Sequence, residues 1–259
     1  MMNYSLKDKW VLITGASSGF GAAAARAFGA QGSRLLLGAR RMDRLEDVAG
    51  QARKAGAPAA EFHFLDVADS GSVTKFMEWL RGRTSRIDVL INNAGGAHGL
   101  DPVAEARDAD WEAMMQSNVL GLLRVTRAAI PLMRDNPGSS IINIGSLAGH
   151  EAYEGAAAYC AAKAGELQIT RSLRFELNGT GVRVSSLDPG LAETEFSMVR
   201  FKGDTDRASK VYEGMQPLTG EDIAETLVWI ASRPAHVNID DLLIKPVAQA
   251  SVKVVHRKR

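Results

Sequence analysis

Lys9-Trp10-Val11-Leu12-Ile13-Thr14-Gly15-Ala16-Ser17-Ser18-Gly19-Phe20-Gly21 carries the plan of the whole chain. Residues 9–14 are a short β-branched and apolar run, the pattern of a buried strand. The run breaks into glycines at 15, 19 and 21, and the alanine-rich segment 22–30 that follows is a strong helix former. Strand, glycine turn and helix together form the opening of a nucleotide-binding βαβ unit. In such a unit Gly15 permits the tight turn, Gly19 lets backbone approach a pyrophosphate, and Gly21 lets the helix lie close on the strand. The helix N-terminus then offers free N–H groups and a partial positive charge to phosphates. Glycines alone are common in loops; their place between a strand and a helix gives them meaning.

The alternation continues downstream. Residues 33–39, 61–66, 87–91, 139–146, 181–187 and 237–247 read as further strands. Residues 43–55, 70–83, 108–133, 156–177 and 220–232 read as helices. Strands that alternate with helices in this way argue for a doubly wound parallel sheet with helices on both faces. No linker, repeat or low-complexity tract interrupts the pattern, so one α/β domain is expected over residues 1–259, with a seven-stranded sheet.

The second strand ends in Ala39-Arg40-Arg41 with no acidic residue. An acid about 20 residues beyond the glycine motif binds a ribose 2′-hydroxyl, whereas an arginine accommodates a 2′-phosphate. Guanidinium groups suit a phosphate dianion. Taken alone, Arg40 and Arg41 fit a solvated basic turn equally well; after the glycine motif they point to NADP(H). Asp66-Val67 stands where an adenine contact is expected, or else in the N-cap region of the helix beginning near Asp69. Asn92-Asn93-Ala94-Gly95-Gly96, at the end of the fourth strand, fits a cofactor wall or an ordinary turn.

The chemistry is expected around Tyr159-Cys160-Ala161-Ala162-Lys163, with Ser146 thirteen residues before the tyrosine. On a helix, Tyr159 and Lys163 leave the same face one turn apart. A free tyrosine titrates near pH 10, and a nearby ammonium stabilises its phenolate and lowers that value. Ser146 ends an apolar run and can offer a hydroxyl to a carbonyl oxygen. Asn118 falls inside an expected helix, a poor place for asparagine unless it has work to do.

Bulk properties exclude several classes. Hydrophobic residues make up 46% of the 259, enough for a substantial core. Lys+Arg 31 against Asp+Glu 30 leaves a net charge of +1, with no electrostatic case for nucleic acid or membrane. The basic end, His256-Arg257-Lys258-Arg259, reads as a solvated tail. Cys160 is the single cysteine; it excludes a disulfide framework, fits a reducing compartment, and reads as a small helix-packing residue. Residues 1–10 are polar and mixed in charge, unlike a signal peptide, and no apolar run approaches a membrane span. A cytoplasmic protein is expected. The five histidines are scattered, so no metal is expected.

Over nearly its whole length the chain resembles a short-chain dehydrogenase/reductase of the NADP-dependent type. The resemblance rests on residues 14–21, Arg40 and Arg41, Asp66, residues 92–95, Asn118, Ser146, Tyr159 with Lys163, and Pro189-Gly190. It implies a Rossmann fold with Tyr159 as general acid/base. Lys163 would lower the tyrosine's pKa and bind the nicotinamide ribose. Ser146 would orient and polarise the substrate carbonyl, and Asn118 would hold helix geometry and a relay water. Cofactor contacts are implied at Gly15, Ser17, Ser18, Gly19, Phe20 and Gly21. Further contacts are implied at Arg40, Arg41, Asp66 and Val67, at Asn93, Ala94 and Gly95, and at Pro189, Gly190 and Thr194.

Pro189-Gly190-Leu191, Glu195-Phe196-Ser197, residues 199–204 and residues 234–239 resemble the 3-hydroxy acid dehydrogenase subgroup, whose substrates include L-allo-threonine, serine and 3-hydroxypropionate. That resemblance implies reversible oxidation of a β-hydroxyl by homotetramers. Residues 193–206 read as irregular, fitting a surface loop or a mobile lid, and a lid or substrate loop is expected over about 191–215. Arg200 is the candidate cation for a substrate carboxylate, with a surface arginine as its alternative, and Tyr153 is a second candidate substrate contact. The loop His150-Glu151-Ala152-Tyr153-Glu154 is more acidic than the subgroup leads one to expect. A glutamate there that faced the pocket would repel a carboxylate. A broad carbonyl reductase or 3-oxoacyl reductase is the alternative function. A non-catalytic nucleotide sensor is a further one, opposed by the complete set Asn118, Ser146, Tyr159 and Lys163.

Overall fold

The structure, a computed structural model, describes residues 4–258; the first three residues of the polar opening and Arg259 of the basic end lie outside the described residues. The first half runs β1 (Trp10–Thr14), α1 (Gly19–Ala30), β2 (Arg34–Ala39), α2 (Met42–Ala55), β3 (Ala60–Phe64), α3 (Ser70–Arg81) and β4 (Val89–Asn92). The second half begins with α4 (Asp108–Met114), a π-helical turn (Met115–Leu120) and α5 (Gly121–Ala129). It continues through β5 (Ser140–Ile144), α6 (Ala157–Glu176), β6 (Arg183–Pro189), α7 (Phe196–Arg200), α8 (Thr205–Lys210), α9 (Gly220–Ala231) and β7 (Asp241–Ile244).

All strand pairs are parallel, in the order β3-β2-β1-β4-β5-β6-β7. Alternate side chains of each strand face opposite helix layers, as the period of two requires. Val11 and Ile13 of β1 join a core with Ala24 and Phe28 of α1, Leu45 and Val48 of α2, and Ile223 and Leu227 of α9. Leu12 joins the opposite core, with Phe76 and Leu80 of α3, Val125 of α5 and Leu173 of α6. The expected doubly wound sheet of seven strands is therefore present. Between β1 and β4 the strand order reverses, and this switch point opens a crevice at the carboxyl ends of the strands.

Three elements differ from their sequence-based outlines. Residues 108–133 are not one regular helix: a π turn interrupts them at Asn118, and such turns recur at functional sites. Residues 193–206 contain α7 and the start of α8, and Asp204 caps α8 by accepting the Arg207 backbone N–H at 3.0 Å. The last strand is four residues, since only Asp241–Ile244 finds β6 to pair with. Residues 256–258 of the basic end are exposed but not free. Arg257 donates to the carbonyls of Val211 (3.0 Å) and Glu213, and the Lys258 backbone N–H donates to Gly214.

Candidate active site

One cavity of about 670 Å³ occupies the crevice and collects the cofactor and catalytic candidates named above, apart from Gly21 and Asn118, which lie behind its wall. Its floor is set where β1 and β4 end. Thr14 Oγ1 accepts the backbone N–H groups of Asn93 and Ala94, each at 3.0 Å. In return Asn93 Nδ2 donates to the carbonyls of Thr14 (3.0 Å) and Gly15 (3.1 Å). The asparagine is a wall that ties two loops, not an ordinary turn residue. Glycine is required twice here. A Cβ on Gly15, at φ +65°, would stand 2.9 Å from Ala94 Cα, and one on Gly21 would stand 2.5 Å from the Gly15 carbonyl oxygen.

Ser18, the N-cap of α1, makes no side-chain cap bond; its hydroxyl accepts Arg41 Nη2 at 2.6 Å instead. No acid lies in the first turn of α1. The helix therefore presents uncapped N–H groups and a cation to the cavity, the chemistry a pyrophosphate and a 2′-phosphate require. Arg41 also donates to Ser17 Oγ at 3.3 Å, while Arg40 is exposed and makes no hydrogen bond or ion pair among the described residues. These groups fit a phosphorylated dinucleotide. At the end of β3, Asp69 caps α3 by accepting the Gly71 N–H at 2.9 Å. Asp66 accepts the Ala68 N–H in a turn and lines the cavity with Val67. The N-cap alternative for Asp66 thus falls to Asp69.

Tyr159 and Lys163 project from α6 at one end of the cavity, each only 7% exposed. Lys163 Nζ stands 6.0 Å from the Tyr159 ring centroid. It donates to the Ile144 carbonyl at 3.0 Å and to Glu166 Oε2 at 2.8 Å, which leaves one of its three N–H groups for the cavity. Burial acts against the ammonium, but the negative groups around it, Glu166 first, outweigh that and raise its pKa. Ser146 caps a short 3₁₀ turn by accepting the Ala148 N–H at 3.1 Å, so its own O–H stays available to donate.

Asn118 is fully buried in the π turn. Its Oδ1 accepts from Gly96 N at 3.0 Å, and its Nδ2 donates to the carbonyls of Gly96 (2.9 Å) and Met114 (2.7 Å). It locks the loop after β4 to the helix. Gly95 allows this, because a Cβ there would lie 2.4 Å from Asn118 Oδ1.

Arg200 is not a surface residue. At 9% exposure it donates from Nε to the Gly99 carbonyl (3.1 Å) and from Nη1 to the Tyr153 hydroxyl (2.9 Å). Its Nη2 is buried without a partner, and its guanidinium carbon is 5.6 Å from the Tyr159 ring centroid. Tyr153 is buried enough to raise its pKa despite the arginine's charge. It can therefore act as a neutral donor beside Arg200. Phe196 closes the same end, 5.7 Å from the Tyr159 ring. The acidic loop does not enter. Glu151 accepts the Val252 backbone N–H at 3.0 Å and Glu154 is exposed; neither lines the cavity. His150 is bound to Asp188 at 2.8 Å, and Cys160 is buried against neighbouring apolar residues.

Two glutamates in this site escape a reading of the sequence. Glu195 accepts Arg41 (3.0 Å) and Arg44 (2.5 Å), joining the start of α7 to the arginine cluster. Glu166, one turn beyond Lys163, is 3% exposed. On sequence grounds an acid three residues after a lysine reads as a solvated helix pair, so no local signal marks it. Among the described residues no group of three metal-ligating side chains comes together, and no helix is long and apolar enough to cross a membrane.

A profile of the family described as short chain dehydrogenase matches residues 9–205. The chain is 43% identical over 249 residues to an NADP-dependent 3-hydroxy acid dehydrogenase of Salmonella typhi, covering 95% of this chain and 99% of that protein. It is also 43% identical over 241 residues to sulfoacetaldehyde reductase 2 of Chromohalobacter salexigens, covering 93% and 95%. Among solved structures it resembles the closed form of serine dehydrogenase complexed with NADP+, with a TM-score of 0.89 and 40% identity over 96% of this chain and all of that one. With the fold, the glycine cradle and the Tyr159–Lys163 pair in place, these matches assign the chain to the short-chain dehydrogenase family.

Proposed function

We propose that this is an NADP(H)-dependent oxidoreductase that interconverts a short 3-hydroxy acid and its 3-oxo form. L-allo-Threonine, serine and 3-hydroxypropionate are the type of substrate. The observation that carries this reading is the unpartnered, buried Arg200 Nη2 beside Tyr159. A buried guanidinium N–H without an acceptor is costly, and a carboxylate would satisfy it with a charge-assisted bond. The three relatives fit, since each name refers to a small compound that carries an acid group: a 3-hydroxy acid, serine and sulfoacetaldehyde.

The cofactor, when bound, supplies or accepts hydride. Arg41 and Arg40 bind the 2′-phosphate, the uncapped α1 N-terminus holds the pyrophosphate, and Asp66 with Val67 meets the adenine. The free N–H of Lys163 binds the nicotinamide ribose. Ser146 donates its O–H to the reacting oxygen, and Tyr159 gives or takes the proton there. Asn118 holds the loop and helix in register and positions a relay water. Arg200, with Tyr153, fixes the carboxylate, so the reacting carbon is held at a set distance from Tyr159. The segment 191–215 acts as a lid that brings Arg200 and Phe196 over the substrate. We extend the reading to a homotetramer in the cytoplasm, with the exposed Leu120, Leu123 and Phe175 available for subunit packing; sedimentation of the purified protein checks this.

The test follows NADP+ reduction with L-allo-threonine, L-serine, 3-hydroxypropionate and a neutral secondary alcohol side by side. A strong preference for the acids supports the reading. Turnover of the neutral alcohol alone would keep the dehydrogenase chemistry and discard the hydroxy-acid assignment in favour of a broad carbonyl reductase.

A further inference from the structure

Beside the catalytic lysine lies a charge that the reaction as described does not use. Glu166 is 3% exposed, and its Oε2 accepts Lys163 Nζ at 2.8 Å. Behind it, the Glu166 carbonyl accepts the Thr170 hydroxyl (2.8 Å), and that hydroxyl accepts Asn143 Nδ2 (2.8 Å), so the helix turn is fixed to β5. Around the pair, α6 contributes Tyr159, and β6 contributes Asp188, whose Oδ2 is bound to His150. The π turn packed against α6 carries no charged residue. Burial pushes the Glu166 carboxyl up to about 7, against the pull of Lys163, and Asp188 adds to the rise.

We infer that Glu166 is a positioning and charge-compensating residue for Lys163: it holds the ammonium toward the nicotinamide ribose and, when ionised, cancels the positive field that Lys163 sends to Tyr159 and to the nicotinamide. The inference rests on the assignment of Tyr159 and Lys163 to the chemistry. Two bonds fix Nζ, to Ile144 and Glu166, and only the Glu166 bond carries a charge that can be switched. A protonated Glu166 still accepts a hydrogen bond through its carbonyl oxygen, so the lysine keeps its place while its charge becomes uncompensated.

The sign follows directly. Oxidised nicotinamide is positive and reduced nicotinamide is neutral, so an uncompensated Lys163 disfavours NADP+ relative to NADPH. Ionisation of Glu166 removes that bias. A unit charge at an effective dielectric of about 20 is worth roughly tenfold in such a ratio. The 2′-phosphate is common to both cofactor forms and drops out of the comparison.

The experiment measures dissociation constants of NADP+ and NADPH by fluorescence from pH 5.5 to 8.5, for the wild-type protein and Glu166→Gln. Glutamine keeps an acceptor for Lys163 and loses the titratable charge. In the wild type, the ratio of the NADP+ to the NADPH constant should fall roughly tenfold as pH rises through about 7. In Glu166→Gln it should stay high and flat. The rising limb of the pH profile for alcohol oxidation should also move to lower pH in the variant by about one unit, because the lysine's charge acts unopposed. A wild-type ratio that is flat with pH would overturn the inference even if the variant does not fold. So would a variant whose ratio and profile match the wild type, which would leave Glu166 a structural residue only. Failure of the underlying assignment is separate, since it would show as retained turnover in Tyr159→Phe.

Discussion

Replacing Arg200 by leucine removes the buried guanidinium at the substrate end and leaves a shorter, apolar side chain. Two losses follow, and they can be told apart. The protein loses the bonds from Arg200 to the Gly99 carbonyl and the Tyr153 hydroxyl. Each is worth about 1 kcal/mol, so unfolding should begin roughly 5 °C lower, with a modest effect on every substrate. An acidic substrate also loses its counter-ion. Truncating one member of a buried, hydrogen-bonded charge pair costs roughly 3 kcal/mol, about a hundredfold in kcat/KM. The assay compares kcat/KM for 3-hydroxypropionate and for a neutral secondary alcohol, with NADP+, in wild type and variant. The acid should fall about a hundredfold and the neutral alcohol only severalfold, with the difference lying mainly in KM. Arg200→Lys should recover part of the acid activity, since it restores charge but not the fork geometry. An equal fall for both substrates would refute the argument, because it would leave Arg200 only the work of holding α7 to the Gly99 loop.

Two further outcomes follow from the charges around the cavity. Arg41→Asp should shift preference from NADP(H) toward NAD(H), measured as the ratio of kcat/KM for the two cofactors. It should do so more than Arg40→Asp, because Arg41 is held by Ser17 and Ser18 whereas Arg40 is free; an unchanged ratio in both would move the selectivity elsewhere. Glu166 should leave a mark on stability without any substrate. Its folded pKa, about 7, lies above the ordinary carboxylate value of 4.5, so its contribution is full below pH 4.5 and is lost as pH rises through 7. Melting of the wild type relative to Glu166→Gln should therefore worsen from pH 5 to pH 8, and a pH-independent difference would contradict the buried, hard-to-ionise carboxyl.

Much of the fold is legible because its signals are local. The strand before Gly15, the alanine run after Gly21 and the repeated change of period need only neighbouring residues, and they are enough to indicate a doubly wound parallel sheet; the order of its strands, set by long-range pairing, is seen only in the structure. Tyr159 and Lys163 are legible for the same reason, being four residues apart on one helix. Asn118 can be seen as out of place in a helix, but the π turn around it depends on Gly96, on another element. Arg200 shows the limit most clearly. Whether it is a solvated arginine or a buried clamp is decided by Gly99 and Tyr153, at the far side of the chain. The acidic loop likewise looks hostile to a carboxylate until Val252 is seen to take Glu151. Glu166 and Glu195 are the opposite case, ordinary acids in the sequence that the fold carries to the two charged ends of the site.

The account turns on Tyr159 as the proton donor and acceptor within an NADP(H) site. The most direct measurement is turnover and NADPH binding of Tyr159→Phe on the same preparation, with binding read by nicotinamide fluorescence. Loss of nearly all turnover, with NADPH affinity within severalfold of wild type, is the predicted result. Turnover close to wild type at unchanged affinity would contradict the account, because the proton would then be moving through another group.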